Sequence, residues 1–134
     1  MARLSKDVRE RVRQRAEGRC EYCRKPEGYS LQSHQVDHII PQKHKGTDEF
    51  DNLAWACFQC NLCKGPNLAS LDIETDSLTF LFHPRKQHWN DHFELVHEHI
   101  IGKTPTGRVT VDILQMNHEE QLATRRILID SGLW

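Results

Sequence analysis

The 134-residue chain contains no run of eighteen apolar residues, so no segment of it is read as a membrane-spanning helix. It has no internal repeat and no low-complexity linker, and its length suits one domain over residues 1–134. The N-terminal segment MARLSKDVRERVRQRAEGRC is charged throughout and lacks the apolar centre of a signal peptide. The expectation is therefore an intracellular, cytoplasmic protein. A large excess of either charge is also missing, since the formal net is −1. That value alone argues against a simple basic nucleic-acid binder, but it conceals a split. Residues 1–25 carry nine Lys/Arg against four Asp/Glu, whereas residues 26–134 carry nine against fifteen. The chain reads as a basic N-terminal arm on an acidic body.

Present instead are five cysteines and nine histidines. In a reducing compartment, thiols argue for metal binding or catalysis rather than disulfides. Cys20-x2-Cys23 and Cys57-x2-Cys60 form two CxxC pairs separated by 33 residues. Four thiolates in two knuckles suit the tetrahedral, soft-ligand preference of zinc, and they leave no position open for water. The site is expected to be structural. Cys63 extends the second pair towards an iron–sulfur pattern, but the position for a fourth cysteine holds Asn67.

Periodicity places these knuckles among short elements. Leu4, Val8, Val12 and Ala16 make one apolar stripe, predicting a helix over 4–17 with Ser5 as N-cap and Gly18 as stop. Residues 31–40 alternate as a strand ended by Pro41, and Asn52–Ala56 reads as a second strand. Asn61 to Lys64 continue the second knuckle as a helical turn. Further on, Leu78–Phe82 and Glu94–Ile101 read as strands, Trp89–Phe93 as a helical turn, and Thr104–Gly107 as a turn. Residues 108–116 fit strand and helix equally, and Asn117-x-x-Glu120 resembles a capping box for a helix over 118–130.

Between the knuckles lie Val36-Asp37-His38-Ile39-Ile40-Pro41, then Gly46, then Asp51-Asn52-Leu53. The second knuckle runs on as Cys60-Asn61-x2-Lys64-Gly65. In order and spacing, residues 20–65 resemble an HNH nuclease with the ββα-metal finger. The tail LFHPRKQHW-x2-HF, followed by TPTGR, is similar to the C-terminal region of small stand-alone bacterial HNH proteins. The resemblance implies a zinc-stapled α+β fold: a ββα core over about 20–65, a basic helix in 1–19, and a β-hairpin and helix extension over 66–134.

It also implies a metal-dependent endonuclease acting on DNA, and it assigns roles residue by residue. His38 matches the general base, and Asp37 matches a carboxylate holding one divalent ion. Asn61 matches the second ligand position, and Asn52 the central Asn that orients the loop. Asp37 and His38 alternate along a strand, so they share one site only if the chain bends or ends there. An Asp oxygen with an amide oxygen is a hard pair, which selects Mg2+ with Mn2+ able to substitute.

Arg9, Arg13, Lys45 and Lys64 are candidate phosphate contacts, with Lys64 equally readable as a helix C-terminal charge. His34 is read as a packed histidine, and His83, Arg85, His88 and His92 as a loose cluster beside the core residues Trp89 and Phe93. No base-reading module is evident, so the partner implied is double-stranded DNA bound with little sequence specificity. The oligomeric state is left open. Lys45-Gly46 stands where relatives usually have two glycines, which leaves one glycine for a left-handed position. A zinc module that binds nucleic acid or protein without catalysis is the main alternative. It would not need Asp37, His38 and Asn61 together.

Overall fold

The computed structural model describes residues 4–134, so the first three positions of the basic arm lie outside it. Helix α1 spans Lys6–Arg15, and Ser5 Oγ accepts from Val8 N at its start. It ends where Glu17 and Gly18 enter the left-handed region. Its apolar stripe buries Val12 and sets Leu4, Val8 and Ala16 against Val36, Phe50, Leu53 and Trp55. Arg15 fastens the helix end: it donates to the carbonyls of Phe50 and Leu53 and stacks 3.7 Å over the Phe50 ring.

Strands β1 (Gln35–His38) and β2 (Leu53–Ala56) pair antiparallel, with Asp37 opposite Ala54 and His38 opposite Leu53. Alternation gives this small sheet two different faces. Val36, Leu53 and Trp55 face α1. Ala54 and Ala56 join the cysteines in the larger core, their small side chains letting sulfur approach the sheet closely. The expected strand over 31–40 is shorter than its alternation suggested. β2 offers only four partners, and Leu31 is left fully exposed.

Helix α2 (Phe58–Lys64) starts at Cys57, whose sulfur accepts from Cys60 N, and Gly65 closes it at φ +48°. A hairpin of β3 (Ala69–Asp72) and β4 (Ser77–Phe80) follows. β3 has no counterpart among the expected elements. This hairpin packs on the later helix α4 with its polar side inward. Asp72 is buried against Arg108, while Leu71, Leu78 and Phe80 are exposed.

Helix α3 (Trp89–His92) leads into a second hairpin, β5 (Phe93–Val96) and β6 (His99–Gly102). The single strand expected over 94–101 is thus two, folded at His97 with φ +54°. Helix α4 spans Pro105–Ile113. The Thr104–Gly107 segment, expected as a turn, is its N-terminus, with Thr104 Oγ1 capping Gly107 N and Pro105 in the first turn. Helix α5 (Glu119–Asp130) is capped by His118 rather than Asn117. The Asn117 amide instead bonds both backbone groups of Ile100, extending the hairpin edge as a third strand would. The fold is α+β as expected, and one core runs from the cysteines through Leu81, Phe82 and Phe93 to Leu114 and Met116.

Candidate functional site

The two knuckles bring Cys20, Cys23, Cys57 and Cys60 together, all buried, with their sulfurs within 4.8 Å of one another. Cys23 Sγ and Cys57 Sγ are 3.7 Å apart. A tetrahedron with Zn–S bonds of about 2.3 Å has edges of roughly 3.8 Å. Backbone amides of Cys23 and Cys60 each lie 3.4 Å from the first sulfur of their own knuckle, the turn that aims paired thiolates at one point. Hydrogen bonds from the neighbouring cysteines push the Cys57 thiol far below its ordinary pKa, and the same bonds push Cys23 and Cys60 well above theirs. Such a set holds several ionised sulfurs only around a cation. The four donors fit a structural zinc ion, with Cys63 outside the cluster and bonded to Gln59.

The charge of a zinc–thiolate centre meets a counter-charge from the far end of the chain. Arg125 of α5 is buried, and burial lowers its pKa while the four cysteines oppose that shift. Its guanidinium is fixed by the carbonyls of Met116 and Glu98. Nothing in the α5 sequence pattern marks this arginine as interior.

Asp37 projects from β1 towards α2 and is buried. Tyr22 Oη donates to its Oδ2 at 2.6 Å, and Lys64 Nζ lies 3.2 Å from Oδ1 and 3.1 Å from Oδ2. Lys64 also donates to the His38 carbonyl at 2.9 Å. Tyr22 sits within the first knuckle, and Lys64 ends the helix that the second knuckle starts. Each half of the zinc cluster therefore supplies one clamp on Asp37. Burial raises the Asp37 pKa, opposed chiefly by the Lys64 charge. Burial also raises Tyr22 well above the ordinary phenol range, with the Asp37 charge adding to it. Lys64, a candidate phosphate contact from sequence, is only 1% exposed, so its amine serves the interior.

His38 ends β1, and its imidazole Nε2 lies 2.7 Å from Asp48 Oδ1. Asp37 and His38 thus occupy opposite faces of β1, and Lys64 touches both residues at the point where the strand stops. Asn61, at the middle of α2, donates from Nδ2 to Gln35 Oε1, which leaves its carbonyl oxygen as the available donor to a cation. Asp37 and Asn61 both offer hard oxygen donors of the kind Mg2+ or Mn2+ takes, but both Asp37 oxygens are engaged by Tyr22 and Lys64 and the side-chain partner of Asn61 is Gln35. The Lys64 ammonium already balances the Asp37 charge.

Asn52 is buried and holds the loop after β1 with three bonds. Its Oδ1 accepts from Ile40 N, and its Nδ2 donates to the carbonyls of Ile40 and Thr47. Within that loop Lys45 itself adopts the left-handed conformation, at φ +73°, and Gly46 does not. Gly46 is needed for space: an added Cβ would lie 1.6 Å from the Ile40 carbonyl oxygen. This corrects the expectation that the glycine supplied the positive φ.

Residues 20–67 match the HNH endonuclease family model. The matched segment contains all four clustered cysteines together with Asp37, His38, Asn52 and Asn61. No curated protein and no solved structure matched the chain. An HNH segment implies a nucleic-acid substrate. Of the basic residues singled out from sequence, Lys45 is exposed and Arg9 is half-buried beside Leu4 and Val36. Arg13 is engaged with Glu10 and Glu27, and Lys64 is interior. Among the described residues, no helix is long and apolar enough to cross a membrane.

Proposed function

We propose that this chain, acting as one domain over 1–134, is a metal-dependent endonuclease that hydrolyses DNA phosphodiester bonds in the cytoplasm. The observation that carries the reading is the HNH match over 20–67, which contains both the candidate base and the oxygen donors. His38 takes the proton of the attacking water through Nδ1, the nitrogen left over by the Asp48 contact. The water oxygen bonds to phosphorus as the bond to the leaving oxygen breaks. Asp37 and Asn61 are the residues that would hold the cation, with hard oxygens. When bound, Mg2+ or Mn2+ neutralises charge on the scissile phosphate and on the leaving oxygen. Asn52 keeps the end of β1 and the following loop in one arrangement. Arg9 and Lys45 supply phosphate contacts without sequence information, which suits double-stranded DNA and low specificity, while Arg13 is held by Glu10 and Glu27.

A zinc module without catalytic activity is favoured by one observation, the complete engagement of Asp37 by Lys64 and Tyr22. Nicking of supercoiled plasmid separates the two readings. The wild-type chain with Mg2+ or Mn2+ is expected to convert supercoiled to nicked DNA, and EDTA or His38→Ala is expected to abolish this. An intact plasmid across a range of divalent ions overturns the nuclease reading. Full activity in His38→Ala overturns the assignment of the base alone.

A further inference from the structure

His38 and Asp48 are ten positions apart, and Asp48 falls in none of the motifs that mark this segment. On an open surface such a contact contributes little. The loop between them, however, is built to return residue 48 to the strand end. It leaves β1 through Pro41, whose carbonyl accepts from both His44 N and Gly46 N. It turns on Lys45 in the left-handed conformation and presses Gly46 onto the Ile40 carbonyl, where no side chain fits. Asn52 then grips Ile40 and Thr47 together, locking the residue just before Asp48 to the residue two beyond His38. Gln42 Nε2 contacts the same Asp48 oxygen at 3.3 Å, giving that carboxylate a second hold.

From this geometry we propose that Asp48 is a positioning residue for His38, an inference that rests on reading His38 as the base. A neutral imidazole carries one N–H and one lone pair, and its partner decides which nitrogen bears which. With Nε2–H donated to Asp48, the lone pair lies on Nδ1 and the ring is held against rotation. Nδ1 then faces the attacking water in a fixed direction. Asp48 is assigned contact with the imidazole, not with phosphate or cation. It acts through the ring, as carboxylates behind metal-bound histidines do.

The test is Asp48→Ala beside Asp48→Asn, whose amide oxygen retains an acceptor for Nε2–H. Asp48 is half exposed, so both variants are expected to keep the fold and the bound zinc. The first readout is the nitrogen-15 NMR spectrum of the histidine side chains, with the His38 signal identified by its absence in His38→Ala. The wild type should show a downfield His38 Nε2–H protected from exchange, retained in Asp48→Asn and lost in Asp48→Ala. The second is steady-state cleavage. Asp48→Ala should lower kcat on the order of 10–100-fold with KM nearly unchanged, and Asp48→Asn should restore a large part of it. A protected Nε2–H that persists in Asp48→Ala overturns the proposal. So does a kcat for Asp48→Ala within about twofold of wild type when His38→Ala is inactive. A wild type that never cuts, yet loses its protected signal in Asp48→Ala, sinks the nuclease reading and leaves the positioning contact standing.

Discussion

Lys64 shows how much one side chain carries in this molecule. Its ammonium joins the carboxylate of Asp37 to the backbone of His38, and neither charge of the pair is in water. Breaking a buried pair from one side strands the other charge, at a cost of about 3–5 kcal/mol. Lys64→Met is therefore expected to lower the unfolding free energy of the zinc-loaded protein by that amount in a urea titration. Asp37→Leu combined with Lys64→Met removes both charges and should recover most of the loss. The double variant should still fail to cut plasmid, because stability and the oxygen donor are separable at this position. Lys64 was visible in the sequence as part of the NxxKG run, but its direction was not. A lysine at a helix end looks solvent-bound until the strand beneath that helix is known to carry an aspartate.

At the scale of elements, the first hairpin is fastened through its polar face. Arg108 of α4 forms a two-pronged contact with Asp72, through Nε at 2.9 Å and Nη2 at 3.0 Å, and Thr75 adds its backbone N and hydroxyl. These partners, Arg108 first, hold the Asp72 carboxyl well below its ordinary value of 3.8. A carboxylate with a depressed folded pKa stabilises the fold fully above the unfolded value, and that contribution is lost as pH falls through the folded one. Thermal midpoints followed downward from pH 6 should therefore decline below about pH 4, and Asp72→Asn should flatten that decline. The loop after β1 has a different weak point. Gly46→Ala forces the backbone away from Ile40, so it should cost activity more than stability, read as a large drop in kcat with a modest change in Tm. Motif spacing made β1, β2 and α2 legible, and α1 followed from its stripe and its Ser5 cap. β3, the second hairpin and the start of α4 were not: β3 is only four residues long, and β5 reverses into β6 at His97-Glu98 with no Gly, Pro, Asn or Asp to mark the turn. Thr104-Pro105 reads as a turn until the residues after it are known to continue as helix.

For the molecule as a whole, the four-cysteine cluster links parts that are far apart in sequence. Its knuckles supply Tyr22 and Lys64 to Asp37, and its sulfurs sit in one core with Phe93 and Ile100 of the second hairpin and Val109 of α4. Trp89 of α3 donates to the Tyr22 carbonyl at 2.7 Å, tying the C-terminal extension to the first knuckle. Apparent binding energies of structural zinc, roughly 10–16 kcal/mol, match the whole stability of a domain this size. Stripping the metal with a strong chelator, or replacing Cys57 with Ser, should abolish the near-ultraviolet circular dichroism and the activity together. Retention of native tertiary signal in a zinc-free sample would contradict a structural role for the cluster.

The split of charge near residue 25 proved more informative than the net of −1, and structure refined it further. Of the arginines along α1, Arg15 holds the helix to β2 and Arg13 is bound to Glu27. Composition therefore overstates the charge available to DNA. Residue type and spacing alone picked out the four cysteines that cluster, since coordination chemistry restricts which residues serve and chain geometry restricts their separation. The α+β class followed from the family resemblance. The same spacing established the resemblance around His38. Which face each side chain takes, which charges are neutralised from inside, and which residue stands behind His38 were settled by packing. Those contacts join segments ten to a hundred positions apart, and local pattern carries no record of them.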